Sequence, residues 1–211
     1  MLLYFRTDNN MLGGTSTSHE GAMRKIIFVM SVSVDGFIET ASGDISWTTP
    51  DPELQQHVID RESAIDTHLY GRRLYETMVA YWPTADENPS APKFDIEYAR
   101  IWKKQRIIVF SKTLAHVGGN CQLFRGNISE EIKKLKAQPG KNMFVGGPNL
   151  AATFMKLGLI DEYWLYVNPT ILGGGKPMFP HSGDRIDLRL IETHRFGSGV
   201  VLLKLADECA A

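Results

Sequence analysis

Short apolar runs alternate with amphipathic segments along most of the chain. Runs that are rich in β-branched and aromatic residues predict β-strands over residues 26–33, 67–70, 105–110, 142–145 and 162–167. The segments between them predict helices that begin near Pro52, Arg72, Phe94, Ser129 and Pro148. Alternating strands and helices are typical of an α/β protein in which helices cover both faces of a mostly parallel sheet.

Local capping and turn signals support these elements. A capping residue or a proline suited to the first helical position stands at three of the predicted helix starts, Asp51-Pro52, Ser129 and Gly147-Pro148. Near the end of the chain, residues 188–196 and 200–205 flank Gly197-Ser198-Gly199 and resemble the strands of an antiparallel hairpin. We therefore expect a three-layer αβα fold whose mixed, mostly parallel sheet ends in this hairpin.

The first 22 residues mix Asn, Gly, Ser and Thr without sustained periodicity, whereas a strong apolar run follows Met23. We expect residues 1–22 to be a disordered N-terminal extension and residues 23–211 to form a single domain. The chain has 211 residues, of which 43% are hydrophobic, so it is long enough to bury a substantial core.

Composition narrows the class of function. A formal net charge of −1 gives no bulk electrostatic reason to bind nucleic acid or an anionic membrane. The two cysteines, Cys121 and Cys209, have no metal-binding spacing, so we expect free thiols and no metal site. No apolar run approaches the roughly 18 residues that a membrane span needs. We expect a cytoplasmic protein that binds a small molecule.

A strand, two glycines and a helix start follow one another in the segment from residue 142 to residue 150. Gly146 and Gly147 would let a ligand approach the backbone, and Pro148 fits the first helical position. The first N–H groups of a helix have no intrahelical partner, so an anionic phosphate is stabilised there. The alternative is a simple strand-to-helix turn that needs glycine for its geometry.

Two further strand ends carry cations. Gly71 is followed by Arg72 and Arg73 in the first turn of a predicted helix, where the helix dipole disfavours positive charge unless an anion is bound. The predicted strand over residues 105–110 ends at Ser111 and Lys112. Ligands of open α/β sheets lie at the carboxyl ends of parallel strands, so these segments should share one rim. A solvated basic helix end is the alternative for the arginines.

Five segments in this order resemble the dihydrofolate reductase-like superfamily, and within it the reductase domains of riboflavin biosynthesis. The resemblance covers about residues 24 to 205. The segments are Met30 to Ile38 with Gly43 to Trp47, Gly71-Arg72-Arg73, Phe110-Ser111, Val145-Gly146-Gly147, and Pro169 to Gly175. The resemblance implies an NADPH-dependent reductase that transfers a hydride to a pteridine-like or aminopyrimidine heterocycle. It also implies a homodimer that pairs through the C-terminal end of the sheet.

The resemblance also implies roles for individual residues. The adenosine side of NADPH would contact Arg72, Arg73, Ser111 and Lys112, and the pyrophosphate would lie near Gly146, Gly147, Asn149 and Leu150. The cofactor site would extend to Gly71, Leu74, Val145 and Pro148. Ser31 and Ile38 would border the nicotinamide, and Trp47 and Tyr166 would border the substrate.

Two acidic residues are candidates for the source of the proton. Reduction of a C=N bond requires a proton on nitrogen, delivered by a positioned acid or by ordered water. Asp51 follows Trp47 closely, as an acid does in dihydrofolate reductases, but Asp51 also has the position of a helix cap. Asp35 is the second candidate, although Asp-Gly after a strand is first of all a turn signal. A true dihydrofolate reductase and a non-catalytic NADPH-binding module remain alternatives.

Overall fold

The computed structural model describes residues 23–179 and 185–208. The strands are β1 (Ile26–Ser33), β2 (Phe37–Glu39), β3 (Ile65–Gly71), β4 (Arg106–Phe110), β5 (Cys121–Phe124), β6 (Asn142–Gly146), β7 (Glu162–Asn168), β8 (Lys176–Pro177), β9 (Leu188–Arg195) and β10 (Val201–Asp207). The helices are α1 (Pro52–Glu62), α2 (Arg72–Val79), α3 (Lys93–Trp102), α4 (Ile128–Lys136) and α5 (Pro148–Lys156), with a 3₁₀ turn at Ala85–Glu87. The predicted disorder of residues 1–22 and the predicted free thiol of Cys209 lie outside the described residues.

One eight-stranded sheet has the order β5-β4-β3-β6-β1-β7-β10-β9, and β2 pairs with β8 beside it. The six strands β5, β4, β3, β6, β1 and β7 all run parallel to one another. Strand β10 is antiparallel to both β7 and β9. The predicted mixed sheet that ends in an antiparallel hairpin is therefore confirmed.

The sheet forms the middle of three layers because its central strands are apolar on both faces. In β1, Ile26 and Phe28 belong to the cluster that contains apolar residues of α4 and α5, whereas Ile27 and Val29 pack on the opposite face with Leu54 of α1. Helix α3 covers the β3–β4 part of that second face through Tyr98 and Trp102. Burial on both sides explains why the strand sequences are continuous apolar runs.

The helix starts follow local capping chemistry. Asp51 caps α1, because its carboxylate accepts a hydrogen bond from Leu54 N at 2.7 Å, and Pro52 takes the first helical position. The prediction that Ser129 caps α4 is wrong. Asn127 is the cap, since its side chain accepts from Glu130 N at 3.3 Å, and the helix begins at Ile128.

Short pairings that depend on distant segments were not predicted. Strand β5 has only four residues. Strands β2 and β8 form a separate two-stranded pair, next to which the backbones of Glu39 and Gly175 lie close together. A Cβ on Gly175 would lie 2.0 Å from Glu39 O, which explains glycine at that position. No helix of the described part of the chain is long and apolar enough to cross a membrane.

Candidate active site

A groove follows the carboxyl ends of the parallel strands and divides into three compartments. The outer compartment measures about 280 Å³, the middle one about 580 Å³ and the inner one about 550 Å³. Gly71 and Asn149 line both the outer and the middle compartment, and Leu74 and Gly147 line both the middle and the inner one. The three compartments therefore form one continuous site for an elongated ligand.

The outer compartment is basic. Arg72, Lys112 and Arg125 line it together with Ser111. The Arg125 guanidinium is fixed, because it donates to the carbonyl oxygen of Ala115 at 3.0 Å. Within the described residues Lys112 has no ion-pair partner, and Arg72 is 3.9 Å from Glu76 across one exposed helical turn. This arrangement favours an anion, since three cations converge with one hydroxyl.

The middle compartment lies between the N-termini of α2 and α5. Gly71 and Gly147 are the N-cap residues, neither start has a side-chain cap, and neither first turn carries an acid. Helices α1 and α4, by contrast, are capped by Asp51 and Asn127. The N–H groups of α2 and α5 thus remain available to an anion, and their helix dipoles add to its stabilisation.

Gly147 adopts a φ of +84°, a left-handed conformation that favours glycine. A Cβ at this position would also lie 3.3 Å from the Cβ of Leu74. The strand-to-helix turn therefore has its own requirement for glycine, and the same turn lines the groove. The interpretation as a turn that needs glycine is therefore confirmed, whereas phosphate binding at this turn stays a prediction.

The inner compartment is largely apolar. Its apolar lining comes from strands β1, β2 and β6, helices α1, α2 and α3, and the loop before α1. The apolar residues include Val29, Met30, Ile38, Ile45, Leu54, Val58, Leu74, Phe94 and Phe144. Ser31, Thr48, Gln55 and Asn168 add neutral polar groups. Its titratable lining residues are Arg61, Asp95 and Tyr166. An apolar cavity with a few polar groups is the usual form of a small-molecule site.

A buried ionic network lies behind the inner compartment. Arg61 Nη2 donates to Glu62 Oε1 at 2.7 Å, and the other oxygen of Glu62 is 2.9 Å from His68 Nε2. Nδ1 of His68 is 2.8 Å from Tyr70 Oη. Burial alone would raise the pKa of Glu62, but the hydrogen bond with His68 and the charge of Arg61 outweigh it and lower the pKa to about 2. Arg61 and Glu62 therefore form a charged pair.

Most of the predicted cofactor residues lie on the groove. The residues found there are Ser31, Ile38, Gly71, Arg72, Arg73, Leu74, Ser111, Lys112, Gly147, Pro148, Asn149 and Leu150, together with the predicted substrate residue Tyr166. Their convergence follows from the parallel register of β3, β4 and β6, which brings the three strand ends to one rim.

Three predicted contacts do not reach the groove. Val145 is completely buried in the core of the sheet. Gly146 is buried as well, and a Cβ there would meet Leu74 Cδ2 at 2.4 Å, so its glycine serves internal packing. Trp47 is half-buried beside the inner compartment but does not line it. The sequence motifs predicted that these residues lie near the site, but they did not show which side chains face the groove.

Asp35 and Asp51 have structural partners. Asp35 accepts from Ser33 Oγ at 2.7 Å and from Gly173 N at 2.8 Å, which ties the turn after β1 to the loop before β8. Both oxygens of Asp51 accept backbone N–H groups, from Leu54 and from Ser198. Neither carboxylate lines the inner compartment. The hydrogen bond from Ser33 lowers the pKa of Asp35, and the backbone bond from Leu54 lowers that of Asp51. This geometry gives no support to the predicted proton-donor role of either residue.

Sequence reasoning missed Arg61, Asp95 and Arg125. A signal existed for Arg61, because Leu54, Val58 and Arg61 share one face of the predicted helix and a cation on an apolar face is unusual. Asp95 and Arg125 reach the groove only through the packing of α3 and the path of the chain after β5. No local pattern marks either of them.

These features define a class of protein. An αβα sheet of this form, with a groove along its carboxyl edge, has the dihydrofolate reductase-like fold. The chain superposes with a TM-score of 0.57 on the dihydrofolate reductase of Enterococcus faecalis in complex with NADP(H), at 10% identity over 87% of this chain and 96% of that one. More narrowly, the chain belongs to the RibD C-terminal domain family, whose model matches residues 24–202.

Relatives within and around this family agree with that assignment. The uncharacterized protein YyaP of Bacillus subtilis (strain 168) is 38% identical over 182 residues, which is 84% of this chain and 92% of YyaP. A Shewanella sp. PV-4 structure assigned to riboflavin biosynthesis gives a TM-score of 0.70 at 19% identity, over 87% of this chain and 99% of that one. The Thermotoga maritima deaminase and 5-amino-6-(5-phosphoribosylamino)uracil reductase gives 0.61 at 16% identity, over 88% of this chain and 57% of that one. At these identities the two structures establish the fold alone.

Proposed function

We propose that this protein is an NADPH-dependent reductase that transfers a hydride to a pteridine-like or aminopyrimidine heterocycle. The continuity of the groove carries this proposal. Its basic outer compartment, its uncapped helix N-termini and its apolar inner compartment succeed one another in the order that the phosphates and the nicotinamide of a dinucleotide would need. Membership of the RibD C-terminal domain family supports a reductase.

The described residues fit the cofactor by their chemistry. Arg72, Lys112 and Arg125 would hold the 2′-phosphate of the adenosine, and the N-termini of α2 and α5 would hold the pyrophosphate. Ser31 and Ile38 would border the nicotinamide, at the side of the inner compartment that is formed by β1 and the chain after it. NADPH supplies a hydride when it is bound, and the protein orients the acceptor and excludes water from it.

The protein must also deliver a proton to the reduced nitrogen. Asp95 and Tyr166 line the inner compartment, whereas Asp35 and Asp51 do not. The Asp95 carboxylate is held by the Tyr81 hydroxyl, which donates to it. Asp95, or a water molecule held by it, is therefore better placed than Asp35 or Asp51 to supply the proton.

Cofactor preference tests the assignment of the groove. We expect NADPH to bind at least about ten-fold more tightly than NADH, because cations surround the position of the 2′-phosphate. Replacing Arg72 and Lys112 together by alanine should weaken NADPH binding about ten-fold or more and affect NADH less, because both side chains line the outer compartment. Fluorescence titration of both cofactors gives the dissociation constants. The double variant Lys133→Ala, Lys134→Ala removes two exposed cations of α4, outside the groove, and is the matched control.

Two results would contradict this proposal in different ways. Equal affinities for NADPH and NADH would remove the argument for the 2′-phosphate. NADPH binding without oxidation against any member of a panel of pteridines, dihydrofolate and aminopyrimidines would favour a non-catalytic binding module. Mass spectrometry of a copurified ligand would narrow the identity of the substrate.

A further inference from the structure

Among the residues that the structure describes, the inner compartment has no cation that lacks an ion-pair partner. In the described part of the chain, Arg61 is the one cation among its lining residues, and Glu62 already pairs with it at 2.7 Å. The remaining charged lining residue is Asp95, an acid. The formal charges of the lining residues Arg61 and Asp95 and of Glu62, the ion-pair partner of Arg61, therefore sum to a negative value.

This charge distribution is unsuited to a phosphate group. Phosphate monoesters are bound by unpaired arginine or lysine side chains, or by free helix N-termini. Asp51 caps the N-terminus of α1, and Asp95 lies in the first turn of α3. Helix α3 also lacks a side-chain cap, but its acid disfavours an anion there. The N-termini of α2 and α5 open on the middle compartment, and the proposed cofactor would use both, including the N-cap Gly147, which also borders the inner compartment. A phosphate in the inner compartment would face Asp95 without a compensating charge.

The Tyr166 hydroxyl is available as a donor beside the Arg61 guanidinium. Arg61 Nη1 donates to Tyr166 Oη at 3.5 Å, so the proton of the hydroxyl is free to point to a ligand atom. The Tyr166 ring is buried and packs edge-on against His57 and at an angle against Phe196, which fixes its position on β7. The guanidinium beside the hydroxyl favours a ligand atom with negative partial charge. A ring carbonyl oxygen has this property and no net charge.

We infer that the inner compartment takes an unphosphorylated heterocycle whose ring carbonyl oxygen accepts hydrogen bonds from Tyr166 and Arg61. Asp95 would accept from a ring or exocyclic N–H of the same molecule. The inference rests on the proposed function, because it requires NADPH to occupy the cations and helix N-termini of the outer and middle compartments. It separates this protein from a reductase whose substrate carries a phosphoribosyl group.

Paired ligands that differ only in the phosphate test this inference. The probes are 5-amino-6-(5-phosphoribosylamino)uracil, the same compound after treatment with phosphatase, and pteridine-2,4-dione, each titrated calorimetrically into the full chain saturated with NADP⁺. NADP⁺ is titrated alone first, so that a failure of the proposed function is seen separately. We expect the dephosphorylated compound to bind at least ten-fold more tightly than the phosphorylated one. Equal or tighter binding of the phosphorylated compound, or no binding of either unphosphorylated probe, would overturn the inference and leave the cofactor assignment intact.

A single hydroxyl deletion tests the contact itself. Tyr166→Phe should weaken binding of the unphosphorylated probe about ten-fold, the loss expected for one hydrogen bond, and should leave NADP⁺ affinity unchanged. Tyr163→Phe removes another tyrosine hydroxyl of the same strand, outside the compartment, and should change neither affinity. Thermal melts confirm that both variants are folded. Wild-type affinity of folded Tyr166→Phe for the probe would overturn the contact.

Discussion

Glu62 shows how a single residue links the site to the stability of the protein. Its side chain is 2% exposed, yet it is charged, because His68 and Arg61 both contact the carboxylate. The pKa of Glu62 falls from its ordinary value of 4.5 to about 2. A carboxyl group whose pKa is lower in the folded state contributes stability above its unfolded pKa. That contribution is lost as the pH falls through the folded pKa, here between about pH 5 and pH 2.

We expect Glu62→Gln to remove this part of the pH dependence. At pH 7 the variant should be less stable by on the order of 3 kcal/mol, because Arg61 loses its charged partner in a buried environment. Near pH 3 the difference from wild type should be about half as large or less, because Glu62 of the unfolded protein is then protonated, whereas the folded carboxylate, with a pKa of about 2, is still mostly ionised. Urea unfolding at pH 7, 5 and 3 measures both differences.

The control for this prediction is an exposed glutamate. Glu76 lies on α2 with half of its side chain exposed, so Glu76→Gln should change stability little at any of these pH values. A difference between wild type and Glu62→Gln that stays constant from pH 7 to pH 3 would contradict the role given to Glu62.

At the scale of elements, the turn from β6 into α5 both determines where the helix begins and lines the groove. Gly147 has positive φ, begins the helix and lines both the middle and the inner compartment. We expect Gly147→Val to abolish cofactor binding while most of the fold survives, because a branched Cβ would occupy the approach to the N–H groups of the helix. The backbone strain should cost roughly 1–3 kcal/mol of stability.

Binding and folding can be separated with a second glycine. Gly158 follows α5 with a φ of +59° and has open space around its Cβ position, so Gly158→Val adds a comparable strain away from the groove. We expect the melting temperature of wild type and of Gly158→Val to rise with added NADPH, and that of Gly147→Val to stay unchanged. A folded Gly147→Val protein that NADPH stabilises as it does wild type would place the pyrophosphate elsewhere.

The elements found from sequence are those with strong local signals. The apolar run of β1 and the caps Asp51 and Gly147 specify their structure within a few residues. Strand β5 was missed because four residues at a sheet edge carry too little pattern, and β8 was missed because its pairing depends on the close approach at Gly175. At the site, the glycine and arginine signals identified segments that line the outer and middle compartments of the groove. The inner compartment depends on how α1 and α3 pack across the sheet, which no local pattern encodes.

At the scale of the whole molecule, the two edges of the sheet differ. Strand β5 ends one edge with only four residues, whereas β9 ends the other with eight, seven of which are exposed. Leu190 is 53% exposed and pairs with Leu205, which packs against the core face that holds α4 and α5. A long exposed edge strand with uncovered apolar side chains is a template for pairing with another chain.

We expect this end of the sheet to form a homodimer in solution. Light scattering should then report about twice the monomer mass of 23.7 kDa at tens of micromolar protein. Leu190→Glu should shift the protein toward the monomer, because dimerisation would bury a charge without a partner. Leu157→Glu changes a leucine of similar exposure, 45%, after α5 and should leave the dimer intact. A wild-type protein that remains monomeric at this concentration would contradict the prediction. Equal dissociation in both variants would show that the contact does not involve β9.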